Sequence, residues 1–149
     1  MIFSQWQAEN LGIPGYVDTQ EYFTPQDADV EEFVLGLRTA LEQAGVEPER
    51  FDPWAAKSAG RAQFVREESA KILERLDGYR YQVFGVIVEG ERRLYVSFLP
   101  GADWDSFGDN FEDWMERPIA VSDGGFWFWS IHYALESGVY SNLDSHGYA

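Results

Sequence analysis

The sequence contains no cysteine. Disulfides, thiolate nucleophiles and cysteine-based zinc sites are therefore excluded, and the absence fits a reducing compartment. The first residues lack the basic stretch and long apolar run of a secretion signal, and no later apolar run approaches the length needed to cross a bilayer. We therefore expect a cytoplasmic protein that does not bind membranes.

Basic residues are also few, because 11 Lys and Arg face 26 Asp and Glu, giving a net charge of -15. Such a balance opposes contact with nucleic-acid phosphates, so no nucleic acid is expected as a ligand. Carboxylates outnumber basic residues from Asp18 to Asp52 and from Gly101 to Gly125, whereas the reverse holds from Lys57 to Arg93. The pattern indicates a solubilising surface, an acidic face that meets a basic protein, or a face that mimics nucleic acid.

Apolar residues are abundant enough for a core, since 45% of the 149 residues are hydrophobic and 17% are aromatic. A chain of this length is expected to form one domain, residues 1–149. Gly12, Pro14 and Gly15 interrupt any period near the start, which predicts an irregular arm over residues 1–23. Residues 24–78 are predicted to be helical and residues 79–149 to form an antiparallel sheet.

Two amphipathic helices are predicted. The first begins with Thr24 as the cap and Pro25 in the first turn, and it ends near Gly45. Its apolar residues recur with helical spacing on one stripe: Val30, Phe33, Val34, Leu37 and Leu41. The second helix runs from about Gly60 to Leu76, and its predicted inner side consists of Val65, Ser69, Ile72, Leu73 and Leu76.

The second half of the chain has the composition of strands. Residues 79–88 and 93–99 are rich in β-branched and aromatic residues and predict a hairpin, and residues 119–121 suggest a further short strand. Five of the eight residues from Phe126 to Tyr133 are aromatic, which predicts the central strand of the sheet. A turn through Glu136, Ser137 and Gly138 leads to a last strand.

The fold class that follows is α+β, with two N-terminal helices packed on one face of a four- to five-stranded antiparallel sheet. A cystatin-like arrangement is the closest architectural analogy, and an architecture does not determine a function.

A succession of motifs covers residues 79–149: a hairpin, a tryptophan-bearing loop, Asp123-Gly124-Gly125, an aromatic strand, a second hairpin and a terminal Gly147-Tyr148-Ala149. This order resembles small uncharacterised bacterial α+β proteins. The resemblance implies the C-terminal sheet and implies no activity.

The loop before residue 117 interleaves carboxylates with aromatic residues. Its spacing fails as a calcium loop, because Phe107 takes the fifth position and Trp114 the twelfth, where oxygen ligands are needed. No nucleotide-binding motif is present either, so neither a metal nor a cofactor is predicted. The aromatics of such a stripe usually fold back onto the core. If they stay exposed, the loop is the candidate binding patch, in which aromatics anchor a partner and carboxylates attract it: Trp104, Asp105, Phe107, Asp109, Phe111, Glu112 and Trp114.

His132 is the one candidate for catalysis, because it lies within the aromatic strand and an unperturbed histidine titrates near neutral pH. Ser97 and Ser130 lack the surroundings of a nucleophile elbow. The leading hypothesis is thus a non-enzymatic domain that binds a basic protein, as an inhibitor or toxin-neutralising protein does. The alternative is a small-molecule or hydrolytic pocket between the sheet and the first helix, centred on His132 with Tyr81 or Tyr133. Sequence does not fix the oligomeric state, although an uncovered aromatic face favours a dimer.

Overall fold

The computed structural model describes residues 1–102, 104, 111–121 and 124–145. Within these residues the chain forms three α-helices and one five-stranded antiparallel sheet, which confirms the α+β class. The helices are α1 (Gln5–Leu11), α2 (Asp27–Val46) and α3 (Ala59–Glu74). The strands are β1 (Glu21–Phe23), β2 (Tyr79–Val88), β3 (Glu91–Pro100), β4 (Trp129–Ala134) and β5 (Tyr140–Ser145).

The arm predicted to be irregular contains regular structure. Ser4 caps α1 through a reciprocal pair of hydrogen bonds with Gln7, and residues Glu21–Phe23 pair with β2 as an edge strand. Periodicity failed to reveal α1 because the helix has only seven residues and buries only Ala8. A capping box rather than an apolar stripe defines this helix.

Helix α2 begins later than predicted, at Asp27 with Gln26 as the cap. The Gln26 N–H donates to the Asp29 carboxylate at 2.9 Å, while the Thr24 hydroxyl accepts from the Gln5 N–H. Thr24 therefore serves α1 instead of α2. The buried stripe is also rotated from the predicted one, because Val34 is 47% exposed and two alanines are buried instead. The buried residues of α2 are Phe33, Leu37, Ala40, Leu41 and Ala44.

The sheet is a meander in the order β1-β2-β3-β4-β5. Glu89 and Gly90, both with positive φ, form the two-residue turn between β2 and β3. The aromatic strand starts only at Trp129, because Gly125–Trp127 form a 3-10 turn, and β3 rather than β4 is the middle strand. The predicted strand at residues 119–121 is absent, since the Ile119 N–H bonds to a side chain and not to a neighbouring strand.

Different segments cover the two faces of the sheet. Helices α2 and α3 pack on one face, where Trp129 is fully buried and stacks on Phe98 with 3.8 Å between ring centroids. On the other face, Phe3 from the N-terminal arm stacks on Phe84, and Ile119 packs against Phe128. None of the helices in the described part of the chain has both the length and the apolar character needed to span a membrane.

Candidate functional site

The described aromatics of the predicted binding patch pack back onto the domain. Trp104 lies 4.9 Å from the Tyr79 ring, and Phe111 meets Phe128 edge to face. Trp114 is partly buried and packs in the cluster around Phe128. Glu112 is exposed. The remaining patch residues, Asp105, Phe107 and Asp109, lie outside the described residues.

A buried glutamine holds the segment that carries Trp114. The Gln82 amide is fully buried and donates to the carbonyls of Trp114 and Arg117 at 2.6 and 2.8 Å. Its oxygen accepts from the Ile119 N–H at 2.9 Å. A buried side chain that satisfies three backbone groups fixes the segment against the sheet, because each group would otherwise be desolvated without a partner.

His132 lies on the sheet face opposite to α2. Its ring meets Tyr95 edge to face at 5.4 Å, whereas the neighbouring Tyr133 ring contacts Phe33 of α2. Tyr81 belongs with Tyr133 on the helix face, so neither tyrosine meets His132. The histidine therefore does not line the space between the sheet and α2, where the alternative hypothesis places its pocket.

The electrostatics of His132 also differ from those of a catalytic base. Burial, and then the positive charge of Arg93, lower the pKa of His132 to about 4. Its Nδ1 atom is buried and has no hydrogen-bond partner among the described residues. The side chain is neutral near pH 7, but no described group acts with it as an acid or a nucleophile.

An open groove runs along α2 on the helix side of the sheet. Its largest part is a cavity of about 540 Å³ to which Val34, Leu35, Tyr79 and Tyr81 contribute. Two further cavities continue it toward the N-terminal end of α2, and all three share Tyr81. We call this surface the α2 groove and define it by Val30, Val34, Leu35, Leu76, Tyr79 and Tyr81.

Apolar side chains on the rim of the α2 groove face solvent. Leu35 is 85% exposed and Val34 is 47% exposed, although both belong to a helix whose opposite side is fully buried. Val30, Val34 and Leu35 form a second apolar stripe beside the core stripe. Sequence reasoning placed Val34 on the buried stripe and missed the groove, whereas the predicted Val30 does pack against the core at its edge. The signal available was an apolar stripe wider than the sheet covers.

Acidic residues border the α2 groove. Asp27 and Glu31 line its N-terminal end, and Asp77 lines the other end beside Arg38. Arg38 and Asp77 form a loose, exposed pair at 4.0 Å, so the pair adds little stability, and its two charges cancel at that end of the groove. Nearby, burial and the carboxylates of Glu32 and Asp29 raise the pKa of Tyr133. The excess of negative charge on the groove lining therefore lies at its N-terminal end, at Asp27 and Glu31.

The described residues contain no group of three or more His, Asp or Glu side chains arranged to hold a metal ion. Comparisons of the chain with models of protein families, with curated proteins and with solved structures found no match. The functional reading therefore depends on the molecule's own surfaces.

Proposed function

We propose that this chain is a binding domain for a basic protein partner and that the partner occupies the α2 groove. The observation that carries the proposal is the exposed pair Val34 and Leu35 beside an open cavity whose N-terminal end is acidic. An apolar groove with an acidic end matches a segment that has an apolar side and basic residues near one end. The acidic domain thus acts by covering a basic surface, as an inhibitor or toxin-neutralising protein does.

The occupant that fits best is an amphipathic helix. A strand added to the edge of β2 would need that edge to be open near the groove. The Met1 amino group already donates to the Tyr81 carbonyl, and the Val83 N–H and carbonyl bond to Met1 and Phe3. Because this edge of β2 is already paired, the partner is recognised by packing of its side chains in the groove. A helix suits this mode because it presents its apolar side chains on one side.

A second copy of this chain is a poor occupant. Each copy carries a net charge of -15, so two copies repel each other as they approach. Like charges brought together across an interface oppose association. The proposal keeps the cytoplasm as its compartment, because a chain without cysteine requires no oxidising surroundings.

The test is calorimetric titration with an amphipathic leucine and lysine peptide of about 14 residues, a length that spans the groove as a helix. Leu35→Lys places a like charge in the groove and is expected to weaken binding by about tenfold or more. The matched control is Val46→Lys, which makes the same change at a 75% exposed position of α2 away from the groove.

The control is expected to bind within about twofold of the unmodified protein. Equal weakening by the two variants would reduce the interaction to general charge attraction and overturn the groove as the site. Binding that did not weaken from low salt to about 150 mM salt would overturn the electrostatic part of the proposal. Capture from a lysate, with Leu35→Lys as the negative control, then identifies the natural partner.

A further inference from the structure

Three aromatic rings lie near the guanidinium of Arg75 at the end of α3. Two of them, Phe126 and Trp127, stack on each other at 4.9 Å, and the Lys71 Nζ also lies 5.5 Å from the Phe126 centroid. The central carbon of the Arg75 guanidinium lies 5.1 Å from the centroid of Phe126, 5.6 Å from that of Trp127 and 5.9 Å from that of Trp104. Rings at such distances attract a cation through their negatively polarised faces, and one cation near three rings is far above the ordinary frequency of such contacts. We call Trp104, Phe126 and Trp127 the aromatic cage.

Arg75 is held in the aromatic cage by its ring contacts. Within the described part of the chain, its guanidinium makes no hydrogen bond and no ion pair. The residue as a whole is exposed, whereas the three rings are partly buried and packed on the domain. Packing against the core therefore holds the three rings in place, whereas the Arg75 side chain lies on the surface and is held only by its contacts with the rings.

The aromatic cage adjoins the α2 groove. Tyr79 lines the groove, and its ring packs against Trp104 at 4.9 Å. Leu76 and Asp77, which follow Arg75 directly, also line the groove. A helix lying in the groove therefore ends within reach of the cage.

We infer that the aromatic cage is a binding site for an arginine side chain of the partner and that Arg75 occupies it in the free protein. Arginine is the fitting class of ligand because Arg75 itself shows that a guanidinium fits among the three rings. A guanidinium is planar and weakly hydrated, so it stacks on aromatic faces at a smaller desolvation cost than an ammonium group. Arg75 would leave toward the exposed carboxylates that flank it, Glu74 and Asp77.

The inference deepens the proposed function and rests on it for the identity of the partner, but the cage can be tested without any partner. The probe is N-acetylarginine amide, and its neutral control is N-acetylcitrulline amide, which has nearly the same shape. Arg75→Ala removes the guanidinium from the cage and leaves the Lys71 Nζ beside Phe126, and Arg66→Ala removes the same charge from an exposed position of α3 that takes no part in the cage. Binding is followed by tryptophan fluorescence and by the indole N–H signals of Trp104 and Trp127.

Arg75→Ala is expected to bind the arginine probe about tenfold more tightly than the unmodified protein or Arg66→Ala, because the internal competitor is gone. Citrulline should not bind. Equal binding of both probes, or no binding to Arg75→Ala, would overturn the inference and leave Arg75 as a surface brace of α3. Should Arg75→Ala fail to fold by circular dichroism, Arg75→Gln repeats the test with most of the side-chain stem retained.

The results separate the two proposals. Arginine binding by Arg75→Ala together with failure of the groove peptide would support the cage and reject the α2 groove. Groove binding that depends on Leu35, without arginine binding by Arg75→Ala, would support the domain's proposed function and reject the cage.

Discussion

Single side chains show how the fold uses buried polar groups. Gln82 is fully buried, yet its side chain makes hydrogen bonds to three backbone groups. It therefore joins the segment from Trp114 to Ile119 to the sheet. His132 is only 5% exposed and leaves its Nδ1 atom without a described partner. The first arrangement stabilises the native state, whereas the second makes protonation of the native state unfavourable.

The pKa of about 4 for His132 predicts a loss of stability in mild acid. The unfolded chain takes up a proton near the ordinary pKa of 6.5, while the folded protein does not until about pH 4. The unfolded state therefore binds more protons between these values, and stability falls as pH falls through that window. His132→Phe, which keeps a flat ring beside Tyr95, removes this term.

Urea unfolding at about pH 7 and about pH 5 measures the effect. Between about pH 7 and about pH 5, the free energy of unfolding of the unmodified protein is expected to fall by about 2 kcal/mol more than that of His132→Phe. The reason is that each unit by which the pH lies below the unfolded pKa, and above the folded one, costs about 1.4 kcal/mol. Parallel pH profiles for the two proteins would show that His132 is protonated in the folded state.

A strand and a helix pack closely where a small residue of the helix leaves room for a side chain of the strand, as β5 and α2 show. The Tyr140 hydroxyl of β5 donates to the Phe33 carbonyl of α2 at 2.6 Å. Gly36, one turn further along, allows this, because a Cβ at that position would lie 2.5 Å from the Tyr140 oxygen. The glycine is thus explained by packing, although glycine is unfavourable inside a helix.

Gly36→Ala is expected to destabilise the protein by about 1–3 kcal/mol, because the methyl group displaces Tyr140 from α2. Gly45→Ala is the matched control in the same helix. Its new methyl group would meet only ordinary contact, 3.7 Å from the Ser69 hydroxyl, so a gain of up to about 1 kcal/mol is expected. Tyr140→Phe should recover part of the loss in the double variant, and strictly additive changes in unfolding free energy would contradict this account.

At the scale of the whole molecule, charge acts against compactness. The negative charges of a chain with a net charge of -15 repel one another, and the described ion pairs are mostly exposed. Asp52–Arg61 and Glu68–Lys71 are the exceptions in which the carboxylate is buried. Raising sodium chloride from about 10 to about 150 mM shortens the screening distance from about 30 to about 8 Å. The midpoint of thermal unfolding is expected to rise over this range. A fall in the midpoint would show that attraction within ion pairs outweighs the general repulsion.

The sequence specified much of the fold for physical reasons that operate locally. Alternating apolar residues in β2 and β3, and the turn chemistry of Gly90, depend on near neighbours and predicted the hairpin. Periodic apolar residues predicted α2 and α3. The seven residues of α1 are too few for a period and gave no comparable signal, and the place of this helix depends on Ser4, Gln7 and contact with the rest of the domain.

The candidate site was predictable only in part. Composition indicated acidic and aromatic recognition, yet the described tryptophans of the predicted patch pack inward, and the exposed apolar surface lies on α2 instead. Helical spacing identifies which residues share a side of α2. It does not tell how much of that side the sheet covers, because coverage depends on the width and twist of distant strands.

By itself, the sequence determined the class of fold, the excess of negative charge and the exclusion of thiol chemistry. Only the tertiary structure decided that His132 faces away from α2, that Leu35 borders an open cavity and that Arg75 meets rings about 50 residues away in the chain. The reason is that charge and periodicity are properties of neighbouring residues, whereas a binding surface is made by residues that folding brings together from separate elements.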